Sequence, residues 1–464
     1  MKNTCQQEYK YRDLFFYMAI TALAIYTIAA VANTTIIFAD GSGVCVSMLS
    51  DKSWYLYDEM RKYGLIIRQI FAIAYLKISD MPQALIFIRL LAFGYAFWNS
   101  FFYALAVCIC KKRKNDILLY FTFALFTFHF VFCGFNLVLE AGMATAAFWF
   151  LFVLYSEKKE LHTGWKIISI ATLFLLSKVY ASVAFFSIIL IVLITRNTGI
   201  RTIIKERYWC MCICLLIYDE FMSLYFMIFT PYPDARNGLI NTLKTITPDF
   251  FIFFILWIIT GLVLVYFENG TILFWSVKQN EKKHTLNFVI LFQILFGVYF
   301  LINVIYKAQI YASLNFQSRT LIFLIPIMIS AIYLYLYWGN FKLNICDLKI
   351  SQFAFGLITI ISITIAATGY KDYLKSIGAI TSHQEGFIDC TKYEVEATGF
   401  MTGFTMPLES LLSQLIYRNG EVYISSILVR PEERIEWEPF DSHDIYAYPD
   451  LSQYNIFLNY DKFQ

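Results

Sequence analysis

Charge is scarce in this chain. Asp, Glu, Lys and Arg together make up 15% of its 464 residues, against about 25% in a soluble globular domain. The two signs nearly cancel, leaving a formal net charge of +3, too little to grip a nucleic-acid backbone. Histidine is limited to five residues. No Gly-rich phosphate loop, HExxH, CxxC pair or G-x-S-x-G is present, so the sequence offers no signature of nucleotide-phosphate cradling, zincin chemistry, dithiol redox or nucleophile-elbow hydrolysis. Cys108-Ile-Cys110 and Cys210-Met-Cys212-Ile-Cys214 lack His or carboxylate partners and read as small hydrophobes. No metal and no cofactor are expected.

What remains is apolar. Hydrophobic residues are 59% of the chain and aromatics 19%, and the mean hydropathy is +0.59. That is far more apolar side chain than a water-facing fold can bury, and it predicts an all-α polytopic membrane protein. The first apolar run starts near Leu14 and continues for about 24 residues, longer than a cleavable signal core, so it is expected to stay as an anchor. A spanning helix needs about 20 residues. Spans are predicted near 14–37, 84–110, 117–134, 139–155, 165–178, 181–195, 209–229, 250–267, 286–306, 320–338 and 351–370, about eleven in all. The stretch 165–195 is too long for one crossing and is split at Ser177-Lys178 into a tight hairpin.

Basic residues support that split. With the N-terminus inside, the inner segments hold about 19 Lys and Arg in roughly 70 residues, and the outer loops about 10 in roughly 90. A single helix over 165–195 would send three of the six basic segments outside. The expected topology is N-terminus in, C-terminus out.

Two outer regions exceed plain connectors. Residues 38–83 form a long first loop within a membrane domain of 1–370, and 371–464 form a tail. From Trp54 to Lys77 the loop reads as an amphipathic helix lying along the interface. Leu56, Met60, Ile67, Ile70, Phe71 and Ala74 fall near one side, with Asp58, Glu59, Arg61, Lys62, Arg68 and Gln69 mostly on the other. The tail is acidic, with about 15 Asp and Glu against about 7 Lys and Arg. It mixes a helix-like 406–417 with strand-like Glu421–Val429 and Asn455–Tyr460, a small α+β cap. Cys45 in the loop and Cys390 in the tail form a candidate disulfide if that side is oxidising.

Ionisable groups at membrane depth are costly unless they work. Asp40 follows the first span in Phe38-Ala39-Asp40-Gly41-Ser42-Gly43, whose glycines permit a tight turn. Glu140 sits between the third and fourth spans, Lys178 at the outer end of the fifth, and Arg319 (with Lys307) just before the tenth. These four all come out on the outer face. Each has a plain reading too: turn cap for Asp40, interfacial snorkelling for Lys178, salt bridging for Arg319. Asp219 and Glu220 fall mid-span in the seventh helix.

A long first outer loop with an acid directly after the first span, an amphipathic helix, about eleven spans and an outer C-terminal domain resembles the GT-C class of glycosyltransferases. Within that class the layout is similar to the O-antigen-modifying glucosyltransferases of Gram-negative bacteria. The resemblance implies a multi-pass protein of the bacterial inner membrane. It would transfer a sugar from an undecaprenyl-phosphate donor to lipopolysaccharide O-antigen or a related surface glycan on the periplasmic face. Inverting transfer needs a carboxylate to take the acceptor's proton and cations to stabilise the departing phosphate. Asp40 is then the expected base and Glu140 a second carboxylate. Arg319 is the first expectation for the phosphate, because a guanidinium binds oxyanions bidentately, with Lys178, Arg61 and Arg68 as alternatives. Asp58 and Glu59 are the expected acceptor contacts. Two other classes stay open. A proton-coupled transporter or flippase would use Asp219-Glu220, but there are no repeated halves and few Gly or Pro residues within the spans. A polymerase or ligase would carry large late loops, and 307–319 is short.

Overall fold

The computed structural model describes residues 2–38, 40–56, 61–133, 140–157, 161–179, 184–229, 345–389, 406–417, 422–429, 451–454 and 456–458, with short pieces at 271–272, 275–276 and within 325–337. The protein is mostly helical. In chain order the helices are α1 (Lys2–Ala32), α2 (Asp40–Asp51), α3 (Lys62–Ile78), α4 (Ala84–Arg113), α5 (Asp116–Cys133) and α6 (Glu140–Tyr155). After them come α7 (Thr163–Leu176), α8 (Ala184–Thr198), α9 (Ile200–Lys205), α10 (Arg207–Phe229) and α11 (Ile345–Ser382). Each span expected within the described residues falls on a helix, with ends close to the expected ones from 84–110 to 209–229. By contrast, α1 runs Lys2–Ala32 against the expected 14–37, and α11 runs Ile345–Ser382 against the expected 351–370. The expected spans 250–267 and 286–306 lie outside the described residues, and 320–338 is described only in pieces.

Three of the described helices are long and apolar enough to cross a membrane: Arg12–Ala32 of α1, all of α4 and Arg207–Tyr225 of α10. The apolar stretches of α5 to α8 are shorter. At about 1.5 Å per residue, helices of 14 to 16 residues such as α6, α7 and α8 reach less than the roughly 30 Å of a hydrocarbon core. Hydropathy marks apolar length well, but side chains that cap the helix ends set the boundaries.

Those caps mark one end of the bundle. Arg12 grips Asp116 with two bonds of 2.6 and 2.7 Å, and Lys111 pairs with Asp13. Arg113 donates to the carbonyls of Val153 and Leu154 at the end of α6, where orphan carbonyls and the negative helix pole favour a cation. Asn197 of α8 donates to the carbonyls of Tyr155 and Ser156. Ser169 of α7 bonds Tyr208 of α10. The start of α7 and the end of α8 therefore meet the same end, and the two are separate helices that reverse after Ser177-Lys178. Arg12, Lys111 and Arg113, all expected inside, lie at this end.

The first loop corrects one expectation. The helix begins at Lys62, not near Trp54, and it does not lie across the bundle. α3 runs antiparallel along the first half of α4. Trp98 Nε1 donates to the Ile67 carbonyl at 2.8 Å, Phe71 packs edge-on against Phe93 at 5.1 Å, and Gln83 N donates to the Tyr75 hydroxyl. A Cβ at Gly94 would collide with the Arg68 carbonyl, so glycine is what lets the two backbones approach. The buried face of α3 is Gly64, Leu65, Arg68, Gln69, Ala72, Ile73 and Leu76, while Ile70 is 45% exposed. Arg68 and Gln69 are thus inside, the reverse of the amphipathic assignment. Gln69 earns its place by exchanging two hydrogen bonds with the Tyr55 backbone.

The tail carries the expected helix and strands, but the expected strand Glu421–Val429 is two strands with different partners, and α11 crosses the expected boundary at 370. α12 (Met406–Tyr417) occupies the predicted helix. β3 (Gly386–Asp389) pairs parallel with β5 (Ser426–Val429), and β4 (Val422–Ile424) pairs parallel with β6 (Ile456–Leu458). The short pair β1 (Thr271–Ile272) and β2 (Trp275–Ser276) is antiparallel and precedes them in the chain. α11 runs unbroken past residue 370 and carries the tail directly. Phe38, Tyr370, Tyr373, Ile377, Ile388 and Leu428 form a small buried cluster. Tyr454 donates to the Leu49 carbonyl of α2 at 2.9 Å, which seats the tail on the first loop.

Candidate functional site

A buried polar cluster sits where α3, α4, α5 and α6 meet, at the end opposite the Arg12–Asp116 pair. Arg68 of α3 is fully buried, and its guanidinium carbon lies 4.9 Å from the Tyr95 ring centroid on α4. Burying a guanidinium costs several kcal/mol, and a desolvated cation–π contact returns about 2 kcal/mol. One turn beyond Tyr95, Asn99 is 3% exposed and its Oδ1 has no hydrogen-bond partner among the described residues. His129 of α5 bonds the Tyr103 hydroxyl through Nδ1 at 3.3 Å. On α6, a Cβ at Gly142 would stand 3.1 Å from His129 Nε2 and 3.5 Å from Asn99 Nδ2, so that glycine leaves room beside both polar groups.

The same end gathers distant cations. The Lys178 carbonyl accepts from the N–H groups of Tyr63 (3.1 Å) and Gly64 (3.4 Å), satisfying two of the orphan donors at the start of α3. Its ammonium lies 5.6 Å from the Tyr63 ring centroid. Arg61 occupies the position before α3. Lys178, beyond the end of α7, and Arg61 therefore meet at the start of α3, and Arg68 lies further along that helix. Gly64 has room for only a close contact with Met143 and Val179, which brings the first turn of α6 against the start of α3. Glu140 begins α6, one turn before Met143.

Asp40 begins α2, so the expected tight turn at Gly41-Ser42-Gly43 is instead the first helical turn, with Gly41 N donating to the Phe38 carbonyl. α2 packs against α4 and the tail helix α12. Arg319, Lys307, Asp58, Glu59 and Cys390 lie outside the described residues. Cys45 is a free, buried thiol.

Sequence reasoning passed over Tyr95, Asn99, Tyr103 and His129. The signal was present: Asn99 in Trp-Asn-Ser and His129 in Phe-His-Phe are polar residues inside apolar helices, which membranes tolerate only with partners or a task. Asp219, noted in the sequence, is 2% exposed and accepts a hydrogen bond from Ser187 of α8. Among the described residues, no group of three or more His, Cys, Asp or Glu could hold a metal ion.

Chemically, the cluster offers fixed positive charge, hydrogen-bond acceptors and an imidazole in a low-dielectric setting. That combination suits a ligand carrying an anion beside hydroxyl groups. No family model matches this chain, and it matches no curated protein and no solved structure.

Proposed function

We propose that this protein is an integral membrane glycosyltransferase that moves a sugar from a polyprenyl-phosphate donor to a surface glycan. The observation that supports this reading is the convergence at one end of the bundle of Arg61, Arg68 and Lys178 with the start of α6, which carries Glu140. Phosphodiester-linked lipid donors need such fixed cations, because negative charge grows on the leaving phosphate in the transition state. The lipid tail would stay among the apolar helices while the phosphate met the cations at the membrane surface.

In this mechanism a carboxylate accepts the proton of the acceptor hydroxyl as its oxygen forms a bond to the sugar's anomeric carbon. The bond from that carbon to the phosphate oxygen breaks, and the lipid phosphate departs with the electron pair. Asp40 is the proposed base and Glu140 the second carboxylate. Arg68 joins Arg319 as a phosphate ligand, since its guanidinium is buried and fixed. The proposal places the N-terminus in the cytoplasm of a bacterium, about eleven spans in the inner membrane, and the tail in the periplasm.

Mass spectrometry of the host's surface glycans, with and without the gene, tests the reading. A sugar substituent present only with the gene is expected. Identical glycans, together with no transfer from labelled undecaprenyl-phosphate sugar to glycan by purified protein, would remove it. Arg68→Gln is expected to lower transfer by about 10²-fold, the scale for losing one charge-stabilising group.

A further inference from the structure

A second polar site lies away from the first, between α8 and α10. Asp219 is the thirteenth residue of the 23-residue α10, near the middle of a helix able to cross a membrane. Ser187 of α8, 1% exposed, donates to Asp219 Oδ2. Asp219 Oδ1 is buried and has no hydrogen-bond partner among the described residues. Neither does the buried Glu220 Oε1. An independent observation points the same way. Ser223 is fully buried, and its Oγ also lacks a partner among the described residues. Ser223 follows Asp219 by four residues, so it shares a helix face with it, and helical side chains tilt toward the N-terminus, here toward Asp219.

We propose that Asp219, Glu220, Ser187 and Ser223 form a binding site for a monovalent cation of sodium's size. All four present oxygen, the ligand type that hard cations prefer. The described residues give Asp219 no ion pair, and an uncompensated carboxylate at this depth costs several kcal/mol. One unit of positive charge balances the buried Asp219, while Glu220 is only partly buried. Three buried oxygens stand open there among the described residues, fewer than the roughly six to eight that calcium takes. The three unpartnered oxygens on α10 and the serine on α8 put the ion between the helices, so its binding would tie α8 to α10. This inference is independent of the glycosyltransferase reading.

Carbodiimide labelling of the full-length protein in detergent tests it. At fixed, mildly acidic pH in choline chloride, dicyclohexylcarbodiimide is expected to modify Asp219, read by peptide mass spectrometry. Sodium chloride at ten times the dissociation constant should slow that modification about tenfold, by mass action. Ser223→Ala should raise the sodium concentration for half-protection by about tenfold, the scale of one lost hydrogen-bonding ligand to a charged group, with an unchanged elution profile. Asp219→Asn should abolish labelling at that position. Wild-type labelling that neither sodium nor lithium slows would overturn the proposal, whether or not lower pH accelerates it. Failure of Asp219 to react at all would overturn it too, because an exchangeable cation site must admit the reagent's target proton.

Discussion

Gly94→Ala is the most direct test of the α3–α4 hairpin. The added Cβ would collide with the Arg68 carbonyl oxygen, stand 3.1 Å from the carbonyl carbon and 3.4 Å from Phe71 Cδ2. The first two obstacles are backbone, so no rotamer change relieves them and α3 itself must shift. Overpacking of this kind costs about 1–3 kcal/mol. A shift also stretches the 2.8 Å bond from Trp98 to the Ile67 carbonyl, worth about 1 kcal/mol. Replacing a helical glycine by alanine returns up to about 1 kcal/mol. The net expectation is a loss of about 2 kcal/mol. Gly356→Ala is the matched control. Its Cβ would meet only the thioether end of Met18, a flexible chain that swings aside, so the net change should be close to zero. Thermal unfolding in detergent, followed with a thiol-reactive dye that reports cysteines as they are exposed, compares the two. A Gly94→Ala melting temperature equal to wild type, or a larger drop for Gly356→Ala, would refute the close approach of α3 to α4.

Asp40→Asn should lower transfer by at least roughly 10²-fold if Asp40 is the base, and Asp40→Glu should recover little, since about 1 Å of displacement can itself cost on the order of 10²-fold. Near-normal activity of Asp40→Asn would mean that the residue only starts α2, a role Asn fills equally well, and would move the assignment to Glu140. Gly142→Ala forces the His129 ring, 3.0 Å from the new Cβ, to give way; transfer should fall about tenfold with little loss of melting temperature, and unchanged turnover would take His129 out of the site. Burial pushes the Cys45 thiol far up. Cys45 should therefore resist maleimide in the native protein, and its contribution to stability should hold below about pH 8.5 and be lost as pH rises further, because the unfolded thiol ionises first; rapid native labelling at pH 7 contradicts this. Cysteine-accessibility mapping in intact cells should find 111–115 shielded by the membrane and residue 400 reactive from outside, and the opposite result inverts the topology.

Helix positions were legible in the sequence because apolar runs are long and their ends carry Lys111-Lys112-Arg113, Ser177 and Arg207. The strand-like character of 421–429 was legible for a similar reason, its Val, Ile and Tyr content, but the break at Ser425 that divides it into two strands was not. The inward face of α3 was not. Periodicity assigns charged side chains to water, and it could not anticipate that Tyr95 would cover Arg68 or that the Tyr55 backbone would satisfy Gln69. Nor could it see that a carbonyl at Lys178 would close the start of α3, a contact between positions more than a hundred residues apart. The site was half legible. Lys178 and Glu140 came from counting charges on one face and Arg61 and Arg68 from the polar side expected of the first-loop helix, whereas Asn99 and His129 were hidden within aromatic runs.

α11 also bears on how the protein is made. It packs between α1 and α5, and Thr127 and Thr359 bond across that contact at 2.7 Å, 232 positions apart. Tyr454 reaches Leu49 from 405 positions away. While the ribosome is still working through the middle of the chain, the early helices sit in the bilayer with a vacant groove along α1 and α5. Contacts of such long sequence separation form late and slowly. The groove is a place where lipid, an insertion factor or a second nascent chain would lodge until residue 345 onward emerges. Expression of this protein should thus depend on what guards that groove during synthesis, and a ribosome stalled before α11 would leave behind an assembly-prone half-bundle.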